Sequence, residues 1–212
     1  MTERVVEATF FHVNRLDVHV PMPRMEAGQT LMIGNTLNSL YGFIEKKQRV
    51  YRTELPGQGL KPVAPVYFMQ LVASGQVPVP QDFVRFATDI ASDFAILMRE
   101  LVFEDVRARE FPFAPSRKTC LWLCDTEDEA VNWAATLGRG RDLYRIVEVK
   151  ATGRVHTAET RHLENDLIPV PRIQSAARLY WRGQIAPENM RETLFAGRLE
   201  VVRIVEDHWP DA

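Results

Sequence analysis

The stretch Pro115 to Trp133, PSRKTCLWLCDTEDEAVNW, constrains the fold more than any other part of the chain. An apolar strand, Thr119 to Leu123, runs into the acidic turn Asp125-Thr126-Glu127-Asp128 and then into a helix, Glu127 to Leu137, rich in Ala and Trp. Asp125 or Thr126 is placed to cap that helix, because a short oxygen-bearing side chain accepts the free N–H groups of the first turn. Gly138-Arg139-Gly140 would stop it. A strand feeding directly into a capped helix must bury one face of each element. On its own this is a common structural unit, and the rest of the chain decides the fold.

The rest of the chain divides near Phe111. Before it, Val5 to Val13 reads as a first strand built from Val, Thr and Phe. Leu16 to Gly28 reads as a loop, and Thr30 to Lys47 as an irregular or helical stretch. Leu55 to Pro80 is rich in Pro and Gly and leaves room for one short helix near Tyr67 to Ser74. Pro80 to Arg109 is the clearest helix, with Phe83, Phe86, Ile90, Phe94, Leu97, Leu101 and then Phe103 or Val106 at steps of mostly three and four. After Phe111, Leu143 to Lys150 alternates as a half-buried strand, which Gly153 to Thr157 continues. His162 to Pro171 is a loop, Ser175 to Trp181 a helix, and Leu199 to Val205 a final strand. Strands mixed with short helices argue α+β, with the earlier helices as an appended lobe.

Composition narrows the classes of function. The chain has 212 residues, 46% hydrophobic and 25% charged, enough for one large domain with a sizeable core. Its formal net charge of −2 gives no global attraction to nucleic acid or an anionic membrane. A nucleic-acid face built on Arg117, Arg139, Arg141 and Arg145 is the weakest of the readings. No apolar run approaches the roughly 20 residues of a membrane span, and the first residues lack a signal-peptide layout. The cytoplasm is thus the expected compartment, with export by a non-classical route left open. Cys120 and Cys124 read as reduced core thiols, and no second Cys/His pair has zinc-ligand spacing, so no metal is expected. Gly-rich phosphate loops, G-x-S-x-G and H-E-x-x-H are absent from the sequence.

Several stretches, taken in order, carry a resemblance: FFHVNR on the opening strand, REFPFAPSRKTCLWLCDTEDEAVNW, LYRIVEVK, and ARLYWRG followed by RETLFAGRLEVVRIV. In order and spacing the chain resembles a bacterial family of domains of unknown function grouped with the ADP-ribosyltransferase fold. The resemblance implies a single domain with a mixed β-sheet core and a large helical insertion at about 32–110, after the first strand. It also implies NAD as substrate: an ADP-ribosyltransferase cleaves the nicotinamide–ribose bond and passes ADP-ribose to an acceptor. That acceptor, a macromolecule or a small molecule, is not readable here. A toxin role would suit the fold, and a catalytically inactive relative that binds a protein or nucleotide is the alternative.

Site roles follow from the same resemblance. His12 corresponds to the opening-strand His that positions the NAD ribose, and Arg15 could reach the diphosphate. Trp122 would wall the nicotinamide, and Ser116 with Arg117 could hold a phosphate. Tyr180, in an exposed-looking Tyr180-Trp181-Arg182-Gly183 cluster, could contact adenine or a partner. Glu192, before Thr193-Leu194-Phe195, is the first choice for the acid that stabilises the oxocarbenium-like transition state. Glu188 and Glu200 compete for that role. Each residue also has an ordinary structural reading: a strand His bonded to a carbonyl, a core Trp, a capping Ser, an Arg paired with Glu110 or Glu104. The chain departs from the family pattern in that no Ser-Thr-Ser strand and no Glu-x-Glu pair precede the last strand.

Overall fold

The computed structural model describes residues 5–15, 23–46, 50–55, 57–138, 143–186 and 190–208. Its main sheet rests on three long strands, β1 (Val5–Arg15), β6 (Tyr144–Glu159) and β7 (Arg191–Asp207). β1 pairs with β6 from Val5↔Arg154 to Arg15↔Tyr144, and β6 pairs with β7 along nearly its whole length. The strands expected as Leu143 to Lys150 and Gly153 to Thr157 are therefore one, and the final strand begins eight residues earlier, at Arg191 rather than Leu199.

β7 changes partners partway. Its first part pairs with β5 (Leu121–Leu123) and its later part with β2 (Thr30–Ile33). The change falls at Gly197, which faces Gly153 across the ladder. Gly197 has φ +148°, and a Cβ there would sit 2.5 Å from the Thr152 carbonyl oxygen and 2.8 Å from Gly153 Cα. Only glycine lets the two backbones approach this closely, so the sheet bends sharply here. As a result β5 swings round to meet β1. Phe11 N–H donates to the Cys124 carbonyl at 2.9 Å, and Cys124 N–H donates to the Phe11 carbonyl at 2.8 Å. Strands β1, β6, β7 and β5 thus close into a ring. The mixed sheet expected from the sequence is antiparallel in each pairing among the described residues.

The ring has an inside and an outside, because side chains alternate along each strand. Phe10, Leu121, Leu123, Val147, Val149, Phe195 and Val201 fill the inside. Outside, α4 (Glu127–Gly138) covers one part through Ala130 and Ala134, which pack on Cys124 and Ile146. Two side chains hold its start: Glu129 N–H donates to Thr126 Oγ1 at 3.2 Å, and Asp125 N–H, one residue before that cap, donates to Glu129 Oε2 at 2.9 Å. The other outer part is covered by α3 (Phe83–Glu110) and α5 (Val170–Arg182), whose Phe103, Val106, Ala177 and Trp181 pack on Leu194 and Ala158.

The 32–110 segment holds more than helices. Besides α1 (Ser39–Lys46), α2 (Pro65–Ala73) and α3 it contains a hairpin of β3 (Tyr51–Leu55) and β4 (Gly59–Val63). The stretch read as breaker-rich loop supplies β4, because its Pro and Gly are tolerated on a short two-stranded sheet. Phe68 of α2 is fully buried there and stacks on Tyr51 with ring centroids 3.8 Å apart. Nor is α3 a mere appendage. It runs for 28 residues, about 42 Å, so one end reaches the hairpin and the other α5. Its buried face is Ala95, Arg99, Glu100, Val102, Phe103 and Val106, whereas Phe94 and Leu101, expected inward from spacing, are 56% and 46% exposed. Polar partners beneath the helix, described below, set its rotation.

Candidate functional site

Glu192 is the second residue of β7, within the last strand rather than ahead of it. Strand alternation places it on the same side as Leu194, facing the α3 and α5 layer. Its side chain keeps only a tenth of its surface exposed. Three donors converge on the carboxylate from three segments. Tyr180 of α5 donates its hydroxyl to Oε1 at 2.5 Å. Arg117, in the turn before β5, donates Nη1–H to the same oxygen. Trp122 of β5 donates its indole N–H to Oε2 at 3.1 Å.

Arg117 joins this carboxylate to a second one. It is 2% exposed, and it donates Nε–H to Glu100 Oε2 at 2.8 Å and Nη2–H to Glu100 Oε1 at 3.1 Å. Its Nη1 also donates to the Tyr180 hydroxyl at 2.7 Å. Glu100, fully buried on α3, further accepts from Arg99 Nε at 3.1 Å, from Arg99 Nη2 at 2.6 Å and from the Tyr41 hydroxyl of α1 at 3.1 Å. Two arginines balance two glutamates. Burial of charge is tolerable only with such pairing and with the remaining lone pairs satisfied.

Ionisation follows the same contacts. Burial pushes the Glu100 carboxyl up, but the guanidinium groups of Arg117 and Arg99 outweigh it and hold the group below the usual carboxylate range. Burial opposes the charge of Arg117, yet Glu192, Tyr180 and Glu100 keep it protonated. Burial, and then the Glu100 charge, push the Tyr41 hydroxyl up, so it stays a donor. The Tyr180 hydroxyl is raised well above its ordinary value by burial, against the pull of Arg117.

Of the residues singled out from sequence, Glu192, Arg117, Trp122 and Tyr180 are brought into one network. Several details differ from expectation. Tyr180 and Trp181 are fully buried rather than exposed; Trp181 donates its indole N–H to the Phe103 carbonyl at 2.8 Å. Arg117 pairs with Glu100 and Glu192 rather than Glu104 or Glu110, and four of its five N–H groups are committed, which leaves little for a phosphate. Ser116 donates its hydroxyl to Glu104 Oε1 at 2.9 Å and accepts from Lys118 N–H at 3.2 Å, beside the network but engaged with α3.

His12 sits apart from the carboxylate. It shares the side of β1 that carries Phe10, inside the ring, while Glu192 faces outward. Trp122 links the two: its carbonyl accepts from His12 Nδ1 at 2.8 Å, and its indole binds Glu192. Burial pulls the His12 imidazole down to about 4 against that hydrogen bond, so the ring is neutral at pH 7. Because a carbonyl can only accept, the proton lies on Nδ1 and Nε2 is a bare acceptor. That Nε2 is buried and has no partner among the described residues. Arg15 ends β1, opposite Tyr144 and three residues beyond His12. Glu200 is exposed on β7, and Glu188, Arg139 and Arg141 lie outside the described residues.

Sequence reasoning missed Glu100 and Tyr41. An Arg-Glu pair inside an amphipathic helix looks like part of the solvated face. The available signal was its phase, since Arg99 and Glu100 stand four and three residues before Phe103 and so share the buried side. Cys120 and Cys124 are free and buried, and burial pushes their thiols up, Cys124 to about 12. Among the described residues no group of His, Cys, Asp and Glu has the arrangement to hold a metal ion, and no helix is long and apolar enough to cross a membrane. An open groove of about 740 Å³ runs along β3 beside Gln76 to Pro80, and none of the site residues above lines it.

Fold and site together define an α+β protein whose curled antiparallel sheet carries a buried Arg–Glu network beneath two helices. The chain belongs to a family described as a protein of unknown function (DUF2441), which matches residues 10–207. No curated protein matches it significantly.

Proposed function

We propose that the chain is an NAD-dependent mono-ADP-ribosyltransferase-like protein in which Glu192 is the carboxylate that stabilises the loosening ribose. One observation carries this reading: the carboxylate is held by Arg117, Tyr180 and Trp122 and still has acceptor capacity. Oε1 takes two donors, whereas Oε2 takes only the Trp122 indole among the described residues. A carboxylate oxygen accepts two donors, so Oε2 can receive a ribose hydroxyl without losing a contact. A fixed negative charge of this kind stabilises positive charge as the C1′–N bond lengthens, at little reorganisation cost. Nicotinamide leaves as a neutral molecule and needs no general acid. The unpartnered Nε2 of His12 is a second buried acceptor suited to a hydroxyl.

A second reading, an inactive relative that binds a protein or nucleotide, is favoured by a different observation. Glu192 is nine-tenths buried, and His12 faces the opposite side of the sheet. Fold does not by itself fix function. The experiment is NAD binding by calorimetry with nicotinamide release followed in the same samples, for the wild type, Glu192→Gln and His12→Ala. On the first reading the wild type binds NAD and releases nicotinamide, and Glu192→Gln lowers release at least 100-fold while the protein stays folded. Absence of binding at millimolar NAD selects the second.

A further inference from the structure

We infer that Glu100 of α3 is a positioning residue: it grips one edge of the Arg117 guanidinium and so aims the opposite edge at Glu192. The inference rests on the reading of Glu192 given above, and part of its test does not. Its basis is geometric. A guanidinium is planar and rigid, so fixing Nε and Nη2 against one carboxylate fixes the direction of Nη1. Glu100 makes that two-point contact, and Nη1 reaches Glu192 and Tyr180. Glu100 is itself immobilised by Arg99 and Tyr41 and is fully buried.

Stability alone does not account for this arrangement. Apolar residues of similar volume would pack between helix and sheet at least as well as a buried ion network. What they could not supply is a cation held at a set angle to a strand carboxylate. The long helix before residue 110 is thereby part of the site: α3 supplies the residue that orients Arg117, and α5 supplies Tyr180.

The test separates aiming from mere charge. The groups facing Arg117 and Glu192 are Arg99, Glu100 and Glu104 from α3, Tyr41 from α1, Tyr180 from α5, His156 from β6, and Cys120 and Trp122 at β5. If Glu100 were only a neighbouring negative charge, Glu100→Asp, which keeps the charge, would leave nicotinamide release unchanged. If it aims Arg117, Glu100→Asp shortens the grip by one methylene, and kcat falls at least tenfold with KM changed less than threefold.

A double-mutant cycle answers the structural half without NAD. Urea midpoints of Glu100→Gln, Glu192→Gln and the double variant are non-additive if both residues act through Arg117, with Glu100→Asp replacing Glu100→Gln should the latter not fold. Additive midpoints, or unchanged nicotinamide release in Glu100→Asp, overturn the proposal. A wild type that releases no nicotinamide but shows non-additive midpoints overturns the NAD reading and leaves Glu100 as the residue that positions Arg117.

Discussion

Replacing Arg117 with Met removes the cation common to Glu100 and Glu192 while keeping most of the side-chain bulk. Removing one partner from a buried ion pair costs about 3–5 kcal/mol, because the other charge is left uncompensated. Here the loss is cushioned. Glu100 retains Arg99 and Tyr41, and Glu192 retains Tyr180 and Trp122. The expected loss is therefore near the lower figure, about 3 kcal/mol. With a urea m-value of about 2 kcal/mol per M, the midpoint falls by roughly 1.5 M. Tryptophan fluorescence reads the transition, since Trp122 and Trp181 both lie in this layer.

The pH dependence gives a sharper check. In the wild type the Glu100 carboxyl lies below its unfolded value, so its contribution is present above the unfolded pKa of about 4.5 and is lost as pH falls through the folded value. In Arg117→Met the buried Glu100 carboxylate has lost the larger of the two cations that hold it down, so protonation costs it less than in the wild type. The stability gap between wild type and variant should therefore shrink as pH falls from 7 to 5. A loss below about 1 kcal/mol, or a gap that does not change with pH, would refute the account of the network as a buried, ionised one.

Three further outcomes are expected. Gly197→Ala places a Cβ 2.5 Å from the Thr152 carbonyl oxygen at φ +148°; backbone strain and overpacking together cost about 2–5 kcal/mol, read as a lowered Tm or loss of soluble protein. His12 and His156 are both pulled to about 4 by burial; the unfolded chain binds the extra protons, so stability falls as pH drops from 6.5 towards 4, and His12→Gln removes part of that slope in pH-resolved denaturation. Cys120 and Cys124 are 1% and 6% exposed with raised thiols; a thiol reagent should leave the native protein unmodified at pH 7 and label both residues in urea.

The sequence by itself determined the class and the longer local elements, but not β2 or the β3–β4 hairpin, whose strands are four and five residues long. Three- and four-residue spacing marks α3 closely, the Asp125-Thr126 turn marks the start of α4, and strand-forming residues and alternation identify β1 and β6. These signals are legible because they depend on neighbours a few residues away. Glu192 and Arg117 were also visible as candidates, through motif order rather than through any local property. The ring closure was not legible, because the meeting of Gly153 with Gly197 and of Phe11 with Cys124 joins segments some 44 and 113 residues apart. The rotation of α3 was decided in the same way. Spacing alone favours burying Phe94 and Leu101, but the arginines, carboxylates and tyrosines beneath the helix need partners away from water, and an unpaired buried charge costs more than an exposed Phe. Only the tertiary structure, by bringing α1, α3, α5, β5 and β7 to one point, turns scattered polar residues into a site.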